Sequence, residues 1–345
     1  MAAVLDASAE RQQKLQALME RSKQRGDEKA ALQKKLMMKL YLEGLKAKTR
    51  KARAAEAQNA REPEAEAEAA VTTEFVVDVD AAALTHSLES GDAEAARECA
   101  RLAAESLRRY GCARMANLAI PRETIDACVA AYEGALNATL AALDARGLDR
   151  DGVKTRELVS RNRNRFDLVA GVEGVEPFDG LGRGGPWMRA VRRALGVDCR
   201  LLKSGVVSAL PGAEKQAIHA DGKHLFADEA DKTHLPAHCV TVFVPLVDLC
   251  AALGPTEYFP ATHKRDGDAA YYAEANAGRV AGVSFADAKA GDAILFDYRV
   301  LHRGLANTTE DVARPLLYFT YGRAWFTDAT NYSTLSIYDA AEETS

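Results

Sequence analysis

Ala293-Ile294-Leu295-Phe296-Asp297-Tyr298-Arg299-Val300-Leu301-His302 is the stretch on which the fold turns. Read as one strand, it places Ile294, Phe296, Tyr298, Val300 and His302 on one face, with Asp297 and Arg299 on the other. His302 thus ends an apolar face that carries one tyrosine, as a buried core histidine also would. Residues 303–313 are loop-like in composition. Arg314-Pro315-Leu316-Leu317-Tyr318-Phe319-Thr320-Tyr321 then reads as the returning antiparallel strand, opened by an arginine. Upstream, Leu201–Ala209, Lys215–Ala220 and His238–Pro245 are further strand candidates, separated by turn-rich stretches such as Pro211-Gly212.

Before Cys199 the pattern is helical. Asp92 to Arg109 brings Ala95, Cys99, Leu102 and Ala103 onto one face. Gly111 to Leu118 resembles a short strand. Pro121 opens a second helix reaching Ala145, at a position where its missing amide hydrogen is not needed. Pro186 to Leu195 is a third, ended by Gly196. Helices followed by a run of strands predict an α+β chain with a mainly β core.

Composition changes near residue 72. Residues 1–71 hold 15 basic and 11 acidic residues, one proline, and neither tryptophan nor phenylalanine. Leu15, Leu18, Met19, Leu32, Leu36, Leu40 and Tyr41 recur at helical steps, predicting helices near 8–25 and 28–48 and then a solvated linker at Glu62–Glu68. This extension reads as a coiled-coil or partner-binding arm, a candidate for self-association, or as a solvated, partly disordered tail. The remainder, 72–345, reads as one compact domain.

The chain of 345 residues carries a net charge of -5, which offers no electrostatic footprint for nucleic acid. No stretch approaches the ~18 consecutive apolar residues of a membrane span. Six cysteines (Cys99, Cys112, Cys128, Cys199, Cys239, Cys250) without a CxxC pair argue against a zinc ribbon or a disulfide framework and fit a reducing compartment. The start of the chain lacks the pattern of a secretory signal, so the expected location is cytoplasmic, with an organelle presequence as the alternative.

The chemistry concentrates at His219-Ala220-Asp221. In a strand, residues i and i+2 share a face, so an imidazole and a carboxylate can reach one ion. That tripeptide alone is a weak signal, since a surface strand with two polar side chains reads the same. His302 supplies a third ligand. Two histidines and one carboxylate form the facial triad of non-haem Fe(II) oxygenases, with positions open on one side of the metal. Arg314, with its planar fork, suits a carboxylate; a surface arginine paired with Glu310 or Asp311 is the plainer reading. A 2-oxo acid could chelate the iron while Arg314 holds its distal carboxylate, leaving a position for dioxygen.

Residues 76–334 resemble the phytanoyl-CoA dioxygenase family of Fe(II)/2-oxoglutarate-dependent oxygenases. Three segments carry the resemblance: Pro211 to Asp221, with Gln216 ahead of the His-x-Asp; Gly254-Pro255-Thr256-Glu257-Tyr258-Phe259-Pro260-Ala261-Thr262-His263-Lys264, similar to the family's G-x-x-x-x-x-P-G-S-H; and Gly291-Asp292 through His302-Arg303-Gly304, Asn307 and Arg314. The resemblance implies a double-stranded β-helix, a cupin-like jelly roll with packed N-terminal helices. It implies His219, Asp221 and His302 as catalytic iron ligands, Arg314 as the 2-oxoglutarate anchor, and Gln216 and Thr256 as further co-substrate contacts. The implied reaction consumes O2 and 2-oxoglutarate, hydroxylates a C–H bond of a small-molecule or acyl-type substrate, and releases succinate and CO2. Two positions depart from the pattern: Ala261 replaces a glycine, and Gly304 stands where several relatives carry serine. Asp221 is present, unlike in the halogenase variant.

Two other readings stay open: a catalytically silent jelly-roll scaffold that recruits a partner through its N-terminal helices, and a metal-dependent cupin enzyme without 2-oxoglutarate. Arg156, Arg161, Arg163 and Arg165 read either as a solvated basic face or as a site for an anionic substrate. His224 and His263 read as pocket lining or as loop support, while His234 and His238 read as structural.

Overall fold

The computed structural model describes residues 79–338 apart from 89, 91, 226–234, 265–268, 329–330, 332 and 334. The chain divides between Thr73 and Glu74 into two compact units. The helices expected within 1–71, the linker, the coiled-coil reading and His234 all lie outside the described residues.

The second unit runs β1 (Thr85–Ser87), α1 (Ala93–Tyr110), β2 (Cys112–Ala116), α2 (Arg122–Asp144), β3 (Leu158–Asn162), β4 (Arg165–Leu168), α3 (Phe178–Gly184), α4 (Met188–Leu195), β5 (Arg200–Ala209), β6 (Cys239–Pro245), β7 (Thr256–Phe259), α5 (Ala269–Asn276), β8 (Val283–Ser284), β9 (Ala293–Asp297), β10 (Leu301–Gly304) and β11 (Arg314–Gly322). Eight strands form one sheet in the order β1-β2-β9-β6-β11-β5-β4-β3, and three form a second in the order β10-β7-β8. This is a mixed, sheet-rich core with few helices, consistent with a jelly roll. Among the described residues no helix is long and apolar enough to cross a membrane.

Strand alternation divides the core in two. On β11, Leu317, Phe319 and Tyr321 join Val240, Val242 and Val244 of β6 and Phe166 and Leu168 of β4 in a cluster with the helices. Trp187 stacks on Phe319 with ring centroids 5.5 Å apart, and its Nε1–H donates to the Tyr321 hydroxyl at 3.0 Å. Each such side chain contributes roughly 1.5–3 kcal/mol on burial. α1 lays Cys99, Ala100, Ala103 and Leu107 on this face. It starts where Asp92 Oδ1 accepts from the Glu94 and Ala95 amides, and ends at Gly111, whose φ of 84° suits a residue without Cβ. The opposite face of the large sheet meets the small one: Phe243, Ile294, Phe296, Leu316 and Tyr318 pack with Tyr258, Val283 and Phe285.

The structure corrects three expectations. Ala293–His302 is two strands: β9 belongs to the large sheet and β10 to the small one, and the chain turns the corner between Asp297 and Leu301. Lys215–Ala220 is no regular strand; it runs beside β10, and only His219 forms a bridge, to His302. The basic stretch 156–165 is a solvated face only in part: Arg156, Arg161 and Arg163 are exposed, whereas Arg165 opens β4 and is 0 % exposed. Arginine-rich composition hid a buried hairpin there.

Candidate active site

His219 and His302 face each other across paired backbones. The His219 amide donates to the His302 carbonyl at 3.0 Å, and the His302 amide donates back at 2.8 Å. This pairing sets the two imidazoles side by side and tilted by 51°, with ring centroids 4.5 Å apart. Each ring is held the same way: Nδ1 of His219 lies 2.9 Å from the Ala217 carbonyl, and Nδ1 of His302 lies 3.0 Å from the Val300 carbonyl. A carbonyl only accepts, so both Nδ1 atoms carry a proton, and in the neutral ring Nε2 is the atom left to ligate.

Asp221 completes the set. Its Oδ1 lies 4.0 Å from Nε2 of His219 and 3.7 Å from Nε2 of His302, and the three ligand atoms lie within 4.8 Å of one another. Burial lowers the His302 pKa, only partly offset by Asp221, which favours the neutral imidazole that metal ligation requires. Two nitrogens and one oxygen on one side leave the remaining positions of an ion open to the cavity.

That cavity lies between the sheets. Arg314, Leu316, Tyr318 and Thr320 line it from alternate positions of β11, and Thr241, Phe243, Val207, Arg165 and Asp167 from neighbouring strands of the large sheet. The opposite wall carries the His–Asp–His group, Gln216, Thr256 and Gly304. All six residues singled out in the sequence therefore border one space. Gln216 bonds to the chain itself: its Oε1 accepts from the Gly304 amide at 3.0 Å, while the Gln216 amide donates to the Gly304 carbonyl at 2.9 Å. Thr256 sits opposite Gly304 in the β7–β10 register.

Arg314 is not the surface arginine of the plainer reading. It is 1 % exposed, and its Nε and Nη1 have no hydrogen-bond partner among the described residues. Burial, reinforced by the nearby Arg165, pushes its pKa down to about 9. Unsatisfied buried guanidinium hydrogens at a cavity wall are a fit for an anionic ligand.

Other residues of the cavity were not legible. Asp167 is held by Arg161 through an ion pair. Tyr298 donates to Asp328 Oδ2 at 2.6 Å, and Asn331 Nδ2 lies 2.8 Å from the Asp221 carbonyl. Tyr298 lies on the face that alternation assigns to His302; Asp167, Arg161, Asp328 and Asn331 come from the missed hairpin and the far C-terminal segment, which no local pattern links to the site. Conversely, His224, His238 and His263 do not line the cavity. His263 instead bonds the Arg108 carbonyl through Nε2 at 3.1 Å, tying the 262–264 turn to α1. Trp325 is 63 % exposed.

A sheet sandwich holding an open His–Asp–His group beside a buried arginine defines a candidate mononuclear metalloenzyme of the non-haem kind. The chain belongs to the phytanoyl-CoA dioxygenase (PhyH) family, whose model matches residues 107–315. Among solved structures it is similar to the non-haem α-ketoglutarate-dependent carbocyclase SnoK from nogalamycin biosynthesis (18% identity, 70% of this chain and 89% of that one, TM-score 0.48). It is also similar to HygX from Streptomyces hygroscopicus, solved with nickel and 2-oxoglutarate bound (15% identity, 64% and 86%, TM-score 0.48). A third is EctD from S. alaskensis, solved with 2-oxoglutarate and 5-hydroxyectoine (18% identity, 74% and 85%, TM-score 0.48).

Proposed function

We propose that the protein is an Fe(II)- and 2-oxoglutarate-dependent dioxygenase that hydroxylates a C–H bond of a small-molecule or acyl-type substrate. In this reading the two sheets are the halves of a double-stranded β-helix. His219, Asp221 and His302 hold the iron, and Arg314 holds the distal carboxylate of 2-oxoglutarate. The observation that carries it is the shared cavity: three convergent ligand atoms on one wall and an arginine with unpartnered N–H groups on the other.

The chain's own groups prepare the reaction. The Ala217 and Val300 carbonyls fix both imidazoles with Nε2 toward the ion. Asp221 supplies the anionic ligand. Leu316, Phe243 and Val207 exclude water from the inner wall. Arg161, Tyr298 and Asn331 offer polar contacts to the substrate at the outer part of the cavity. Bound Fe(II) would supply dioxygen activation coupled to oxidative decarboxylation of the 2-oxo acid to succinate and CO2.

Succinate release with Fe(II), 2-oxoglutarate and O2 tests this. The wild-type chain is expected to form succinate slowly without substrate, and His219→Ala to form none. Arg314→Ala is expected to raise the half-saturating 2-oxoglutarate concentration at least about tenfold. Equal background in wild type and His219→Ala would favour the silent scaffold. Activity indifferent to Arg314→Ala would favour a cupin enzyme without 2-oxoglutarate.

A further inference from the structure

We infer that Asn331, from the C-terminal segment, is the positioning residue for Asp221 and sets how tightly the His–Asp–His group holds its metal. The inference rests on the reading above that this group is a metal centre.

The three ligand residues are not held alike. Each histidine is fixed twice, by the backbone exchange between His219 and His302 and by a carbonyl on its own Nδ1. Asp221 lies past the bridge to β10, where the chain bends away. Among the described residues no hydrogen bond reaches its carboxylate, which meets only the two imidazoles at 4.0 and 3.7 Å. A short carboxylate arm without a partner points where its backbone places it.

That backbone is gripped from two sides. The Gly222 amide donates to the Tyr298 carbonyl at 2.8 Å, and Asn331 Nδ2 donates to the Asp221 carbonyl at 2.8 Å. Gly222 permits the first contact, since a Cβ there would run into the Tyr298 ring. The second brings in a side chain 110 positions away.

Asn331 is itself fixed. Its amide donates to Asp328 Oδ1 at 3.2 Å, and its Nδ2 lies 2.8 Å from Asp328 Oδ2 and 2.9 Å from the Tyr298 hydroxyl. The hydroxyl gives its own hydrogen to Asp328 Oδ2 at 2.6 Å, so toward Asn331 it accepts. Carbonyl, carboxylate and phenol oxygen thus all face one atom, which assigns that atom as the amide nitrogen. Farther along, the Ser336 hydroxyl and the Ile337 amide donate to the Glu157 carboxylate at 2.7 and 2.9 Å, and Ile337 is buried in the core. The segment is therefore tied on either side of Asn331, at the corner ahead of β10 and at the start of β3. None of these bonds uses Asn331 Oδ1, which stays available to a substrate in the cavity. Outer contacts of this kind act on a metal through the ligand they orient.

Calorimetric titration of the metal-free full-length chain with Ni(II), which binds imidazole strongly enough to register a site of two histidines, tests the inference. Asn331 is exposed, so Asn331→Ala removes no core packing. That variant is expected to weaken Ni(II) by about tenfold at an unchanged urea midpoint. Asp328→Ala, which leaves the Asn331 side chain present but unheld, is expected to weaken it in the same direction. In an Asp221→Ala chain, Asn331→Ala is expected to add nothing, because the residue through which it acts is gone. Wild-type affinity in both Asn331→Ala and Asp328→Ala would overturn the inference, as would an Asn331→Ala loss that persists undiminished in the Asp221→Ala chain. Equal Ni(II) affinity in wild type and His219→Ala would instead remove the metal reading itself.

Discussion

Ala261 holds φ at 65°, in the left-handed region that disfavours any residue with a Cβ. It fills the place of the motif glycine, in a turn where its amide donates to the Tyr110 carbonyl at 2.7 Å. Ala261→Gly is expected to stabilise the fold by about 0.5–1 kcal/mol, read as a raised urea midpoint. His263, in the same turn, is buried, and burial, partly offset by Asp297, pushes its pKa down to about 4. His238 is lowered to about 4 by burial and by Arg299. Between pH 6.5 and 4 the unfolded chain binds protons that these folded imidazoles refuse. Stability is therefore complete above pH 6.5 and declines as pH falls to 4, by on the order of 3 kcal/mol for each histidine. Denaturation midpoints across that window should fall with acid, and His263→Gln, which retains a donor for the Arg108 carbonyl, should flatten part of the slope. An unchanged slope in that variant would refute the assignment.

The corner between β9 and β10 is the element on which the site depends, because it carries the chain from one sheet to the other and presents His302. Asp297 organises it. Its Oδ1 accepts from the Arg299 amide at 3.0 Å and from Arg299 Nε at 2.8 Å, and its Oδ2 accepts from Arg299 Nη2 at 2.7 Å. Arg299 also reaches the Leu235 carbonyl at 3.3 Å, fixing the segment that leads into β6. Both side chains are 3% exposed. Burial raises the Asp297 pKa, but the Arg299 bonds outweigh it and hold the carboxyl below its ordinary value. Asp297→Asn leaves a buried guanidinium half-paired and is expected to cost about 3–5 kcal/mol, whereas Asp297→Leu with Arg299→Met costs less than the two singles together. Urea denaturation of the four chains measures this directly, and simple additivity would contradict it. The same corner marks what the sequence can convey. Alternation located Ile294, Phe296, Val300 and His302 on the inner side, and that held. An i,i+2 ion pair across a bend has the spacing of two residues on one strand face, so the turn itself was invisible. Arg165 was hidden for a related reason: four arginines in ten residues look solvated unless the strand partners that bury one of them are known.

At the scale of the molecule, the large sheet works with both faces. The helices cover one through Trp187, Phe319 and their neighbours, and the other forms the cavity wall. The cluster of His219, Asp221 and His302 was legible because its members sit in short motifs; the layers were legible only as helices followed by strands, since the sheet order joins β2 to β9 and β4 to β5 across long separations. The second compact unit, Glu74–Ser345, holds all the cavity residues named here and the two larger hydrophobic clusters. A chain beginning at Glu74 is therefore expected to unfold in one cooperative transition at the urea midpoint of the full chain, and to bind 2-oxoglutarate with Mn(II) equally well. Residues 1–71, with their narrow apolar stripe in the sequence, are proposed here to act in association. Sedimentation velocity should give a larger species for the full chain than for the shortened one if the stripe pairs copies, and two monomers if it is only a solvated extension. A shortened chain that loses its cooperative transition would show instead that the domain boundary is misplaced.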